Sequence, residues 1–247
     1  MAYKTVNGTR LYYEIRGNEE GEKTVAFFNG VMASANSWSL QTGVFERFGY
    51  KILLHDFKGQ LLSEKPEGPY TFEEHAQEAN LLMKELGIDE VHIIGTSYGG
   101  EVALRFAIDF PEIVKSISII DSVSELDEVL KLFIRNWKEA ADLGDAEKFY
   151  WNMVPTIYNN SFIKSNIKML EERADALKKV SKDYFKGQVA LYDTFLSDVY
   201  MTDLLGRINC PTLLVCGEQD ILKPRKFSQI MADRIQRSEF AVIPDCG

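Results

Sequence analysis

The chain has 247 residues, of which 45% are hydrophobic and 26% charged, a globular balance with enough apolar material for a sizeable core. A net charge of −9, without any run of lysine or arginine, argues against a nucleic-acid backbone as partner. Three cysteines, Cys210, Cys216 and Cys246, are an odd number without C-x-x-C spacing, which argues against a disulfide framework or a zinc site. Neither a signal-peptide pattern at the start nor a run of apolar residues long enough to span a bilayer is visible, and the expectation is a cytoplasmic protein.

In chain order, short β-branched and apolar runs predict strands at Arg10–Ile15, Thr24–Phe28, Tyr50–His55 and Val91–Ile94. Further ones are expected at Ile117–Ile120, Thr212–Cys216 and Glu239–Ile243. Most lack polar alternation, as expected of strands buried on both faces of a parallel sheet. A helix is predicted from Thr71. Thr71 and Glu74 have capping-box spacing, Phe72, Ala76, Ala79, Leu82, Met83 and Leu86 share one face, and Gly87 supplies the stop. A second helix is expected from Gly99 to Asp109, ending ahead of Pro111. This alternation predicts an α/β chain with a mainly parallel sheet covered by helices. From Ser122 to Tyr200 no strand is predicted, and residues 122–200 read as a helical lid inserted in a core made of 1–121 and 201–247.

The chemistry concentrates at Gly95-Thr96-Ser97-Tyr98-Gly99, a G-x-S-x-G pentapeptide with a predicted buried strand before it and a helix after it. The sharp turn between them holds Ser97 in a strained conformation and lifts its hydroxyl above the sheet. The glycines relieve the crowding, and the helix N-terminus favours the negative charge of acyl transfer. On these residues the chain resembles the α/β-hydrolase fold family, in particular its small lidded esterases, lactonases, C–C hydrolases and haloperoxidases. Phe28-Asn29-Gly30-Val31 looks like the family's oxyanion segment, Asp56–Ser63 like its D-x-R-G-x-G-x-S loop, and Gly217-Glu218-Gln219-Asp220 like the turn presenting the triad acid.

The resemblance implies a serine hydrolase of carboxylic esters, thioesters or lactones. Ser97 is its nucleophile, Asp220 its acid, and the main-chain amides of Val31 and Tyr98 its oxyanion hole, with no metal or organic cofactor. Asp121, which also ends a strand, competes for the role of acid. Asn29 stands where the family usually has histidine. With Trp151 of the insertion, it is a candidate substrate contact. The partner implied is a small molecule with apolar parts, with no membrane involved. His92 lies inside the strand feeding Ser97, His75 on the capped helix and His55 at a strand end, so none is expected to be the base. By resemblance the base is the residue directly after Gly247. Two alternatives keep the same fold: an acyltransferase using the same triad, and a hydrolase-fold ligand-binding or signalling protein with little turnover.

Overall fold

A computed structural model describes residues 2–247. Eight strands form one sheet in the order β1-β2-β4-β3-β5-β6-β7-β8. The first hairpin, β1 (Ala2–Val6) and β2 (Thr9–Gly17), pairs antiparallel across Asn7-Gly8, both at positive φ, and β2 runs antiparallel to β4 (Lys51–His55). The remaining pairs, involving β3 (Thr24–Phe28), β4, β5 (Val91–Thr96), β6 (Val114–Ile120), β7 (Thr212–Gly217) and β8 (Ser238–Ile243), are all parallel. All seven strands expected from the sequence are present. The eighth, β1, escaped notice because its outer positions are exposed and carry little apolar signal.

Both faces of the sheet are covered. Val25, Phe27, Ile52 and Leu54 point to one face with Trp38, beside α1 (Ser39–Arg47). Ala26, Phe28, Leu53 and Ile93 alternate to the other, where they meet α2 (Phe72–Glu85) and α3 (Tyr98–Asp109). The start of α2 is capped as its sequence predicts: the Glu74 amide donates to Thr71 Oγ1 and the Thr71 amide to Glu74 Oε2, each at 3.0 Å. Gly87, at φ +65°, closes the turn that follows. The last helix, α8 (Arg225–Arg234), packs on β7 and β8.

Between β6 and β7 the chain forms α4 (Glu128–Asp142), α5 (Ala146–Ile157), α6 (Asn160–Leu177) and α7 (Lys182–Asp198), with no strand among them. Here α4 packs on α7, and α5 on α6. Among the described residues, no helix is long and apolar enough to cross a membrane.

Strand register determines where chemistry can occur. Phe28 is level with Gly95, Thr96 with Ile120, and Ile120 with Val215. The loops leaving β3, β5, β6 and β7 therefore emerge together at the carboxyl edge of the sheet, where open α/β sheets carry their ligand crevice.

Candidate active site

Ser97 occupies the turn between β5 and α3 at φ 52°, ψ −123°, a conformation that non-glycine residues adopt only when their surroundings enforce it. The enforcing contacts are specific. The Ser97 amide donates to Ile120 O at 2.8 Å, while its carbonyl accepts from the Gly100 amide (2.8 Å) and Ser122 Oγ (3.0 Å). The flanking glycines are required by close approach: a Cβ on Gly95 would sit 2.4 Å from Gly99 O, and one on Gly99 would sit 2.1 Å from Phe28 O. Strand, turn and helix thus pack backbone to backbone, and β3 presses on the turn from the side.

The segment after β3 lies against the serine: a Cβ on Gly30 would touch Ser97 Cβ at 3.4 Å. Its peptide planes are held from behind. Gln60 Nε2 donates to Gly30 O at 2.8 Å, the Ala33 amide donates to the same oxygen at 3.1 Å, and Gln188 Nε2 donates to Val31 O at 3.1 Å. Because C=O and N–H point opposite ways across a trans peptide, fixing the Gly30 carbonyl also fixes the direction of the Val31 amide. No sequence signal marked Gln60 or Gln188 for this work.

Asn29 is fully buried and does not face the pocket. Its Nδ2 donates to His55 O (2.8 Å), Asp56 Oδ1 (3.1 Å) and Gln60 Oε1 (3.2 Å), and its Oδ1 accepts from Trp38 Nε1 at 2.7 Å. With both ends of its amide engaged by the protein, Asn29 braces the segment rather than contacting a substrate. Asp56 acts alongside it, accepting from the Ala35 and Leu62 amides. Trp151 also lies elsewhere. Its ring meets Tyr150 edge-on at 5.6 Å in a cluster with Val154 and Leu170, against α6.

The cavity over Ser97 is bounded by Val31, Tyr98, Ile134, Trp137, Tyr192, Phe195 and Lys223, so the insertion contributes its wall through α4 and α7. Its volume is about 10 Å³, room for about one water. A larger hollow of about 270 Å³ between the α5–α6 corner, Gln219, Ile221 and Gly247 does not reach Ser97.

The two rival carboxylates turn out to be neighbours. Asp121, at φ +47°, follows β6, and its Oδ1 accepts from the Gly217 amide at 2.9 Å. Asp220 Oδ1 accepts from the Leu222 and Lys223 amides, each at 2.8 Å. Burial, reinforced by the adjacent Asp220 carboxylate, pushes the Asp121 carboxyl up to about 6. The main chain of Cys246 and Gly247 closes over the same turn: Cys246 O accepts from the Gln219 amide at 2.6 Å, and a Cβ on Gly247 would lie 2.9 Å from Gln219 O.

None of the three histidines hydrogen-bonds Ser97. His92 Nδ1 pairs with Ser116 Oγ at 2.8 Å. His55 and His75 are buried among Phe28, Phe57, Tyr70 and Tyr98, and burial lowers His55 to about 3 and His75 well below its ordinary value, which keeps both neutral. The side chain that does reach the nucleophile is Lys223, whose Nζ donates to Ser97 Oγ at 3.1 Å and to Glu101 Oε1 at 2.9 Å.

A family model described as alpha/beta hydrolase fold matches residues 23–247. A putative carbamate hydrolase of Azorhizobium caulinodans is 24% identical, covering 98% of this chain and 89% of its own length. A 3-oxoadipate enol-lactonase of Acinetobacter baylyi is 23% identical over 97% of this chain and 86% of its own. Among solved structures, an alpha/beta hydrolase enzyme from a Medee basin deep-sea metagenome library superposes with a TM-score of 0.93 at 27% identity, over 100% of this chain and 90% of that one.

Proposed function

Since the chain belongs to the α/β-hydrolase fold family and its relatives are hydrolases, we propose that it is a serine hydrolase acting on a carboxylic ester, thioester or lactone. The observation that carries this reading is the strained Ser97 turn, with Val31 and Tyr98 bounding the same cavity. Ser97 Oγ attacks the substrate carbonyl and passes its proton to a base. The carbonyl oxygen becomes an oxyanion facing the amides of Val31 and Tyr98, two donors worth on the order of 3 kcal/mol each. The C–O or C–S bond then breaks, and the leaving group takes the proton from the base. Water attacks the acyl-enzyme by the same route and releases the acid.

The base this reading requires is one that the Asp121–Asp220 pair can orient. Asp220 orients it, and Asp121, whose carboxyl is raised by burial and by Asp220, backs Asp220. The insertion α4–α7 serves as the lid.

The test is intact mass before and after treatment with a fluorophosphonate probe, with peptide mapping. One label on Ser97, lost in Ser97→Ala, is the expected result. A folded protein that takes no label overturns the reading.

A further inference from the structure

Lys223 is unusual in where it spends its charge. Its side chain is 3% exposed, that of its partner Glu101 is 0% exposed, and the ammonium also lies 4.9 Å from the centre of the Phe195 ring. Every other residue bounding the Ser97 cavity is uncharged, so the ammonium is the cavity's single ionic group.

Stability does not explain such a pair. Taking two charges out of water costs several kcal/mol per ion, and a well-packed apolar pair in their place is often as stable or more so. Burial, opposed by Lys223, pushes the Glu101 carboxyl up to about 7.

The hydrogen bonds to Ser97 Oγ and Glu101 Oε1 use two of the three ammonium hydrogens, and among the described residues no other acceptor takes the third. Glu101 is itself fixed, accepting from the Val123 amide at 2.8 Å. A protonated amine held by a carboxylate cannot accept the Ser97 proton, which argues against a role as base. It can donate to an anion that enters the cavity. The position is set by Asp220, whose carboxylate ties down the Leu222 and Lys223 amides, so the residue proposed as the triad acid also aims the lysine.

We propose that Lys223 is the specificity-determining residue of the Ser97 pocket and receives a carboxylate carried on the acyl part of the substrate. This rests on the hydrolase reading above. The 3.1 Å separation of Nζ and Ser97 Oγ limits the geometry. An anion within about 3 Å of Nζ lies roughly two to four bonds from the scissile carbonyl, as in the half-ester of a short dicarboxylic acid. Longer acyl groups would carry the anion past the ammonium and into the aromatic wall.

The experiment compares hydrolysis of monomethyl succinate and methyl valerate, esters of similar size that differ in charge, by wild type and Lys223→Met. A charge-assisted hydrogen bond predicts that the ratio of kcat/KM for the two esters favours the anionic one and falls about 10- to 100-fold in the variant. A ratio unchanged by the substitution, including an equal loss on both esters, overturns the proposal. Binding of the same two esters to Ser97→Ala is read by calorimetry, so the ligand preference is decided even if turnover fails. Tighter binding of monomethyl succinate supports Lys223 as its receptor, and equal binding overturns it. Absence of wild-type turnover on any ester defeats the hydrolase reading alone.

Discussion

Asp121→Asn removes one ionisable group from a buried carboxylate pair, while the asparagine Oδ1 can still accept from the Gly217 amide. The wild-type carboxyl is raised from 3.8 to about 6 by burial and by Asp220. A group whose pKa is raised by folding binds its proton more tightly in the native state. It therefore contributes stability that is complete below pH 4 and is lost as pH rises through 6. That climb corresponds to up to about 3 kcal/mol. Asparagine mimics the protonated form at every pH, so the variant should match wild type at pH 4 and exceed it by up to about 3 kcal/mol at pH 8. For a domain of this size the difference is roughly 6–12 °C in melting temperature. Thermal unfolding of both proteins from pH 4 to pH 8 measures it directly. A difference that does not change with pH, or a variant less stable than wild type at pH 8, would refute the claim that Asp121 is held against its charge.

Other substitutions test the site. Asp220→Asn should lower kcat by about 10³- to 10⁴-fold, since the orienting carboxylate is lost. Steady-state kinetics should then show Asp121→Asn losing far less. Gly99→Ala places a Cβ 2.1 Å from the Phe28 carbonyl, a main-chain atom that cannot swing aside. The variant should lose fluorophosphonate labelling and unfold at lower denaturant than wild type. Phe195→Ala deletes a buried ring from the cavity wall, and denaturation should show a cost of about 3–5 kcal/mol. Where the variant stays folded, its preferred acyl chain should lengthen.

The parts of the site visible in the sequence were those built from neighbours in the chain. Ser97 was legible because its strand, glycines and helix are contiguous, and the Thr71 cap because its partners are three residues apart. What the sequence hid depends on strand order. Asp121 and Asp220 appear as rivals along the chain, yet they meet because β6 and β7 are adjacent in the sheet. Lys223 reaches Ser97 across 126 positions, and a lysine in a chain with 28 basic residues carries no mark of burial. Asn29 reads as a pocket residue because it stands in the oxyanion segment, but four partners on other segments, His55 O, Asp56, Gln60 and Trp38, claim its amide. Trp151 sits on the side of α5 that meets α6, a pairing that composition does not reveal.

A chamber of about 10 Å³ has a kinetic corollary. It seats about one water, so a larger group fits beside Ser97 only when wall side chains such as Trp137 on α4 and Tyr192 or Phe195 on α7 turn aside. Apparent affinity is then the intrinsic affinity scaled by the fraction of time the wall is so arranged. Weakening the α4–α7 seam through the Lys138–Asp193 ion pair, which lies outside the chamber, should speed substrate capture without altering the chemistry below. The traffic limit and the bond-breaking machinery would answer to different residues, and could be tuned independently.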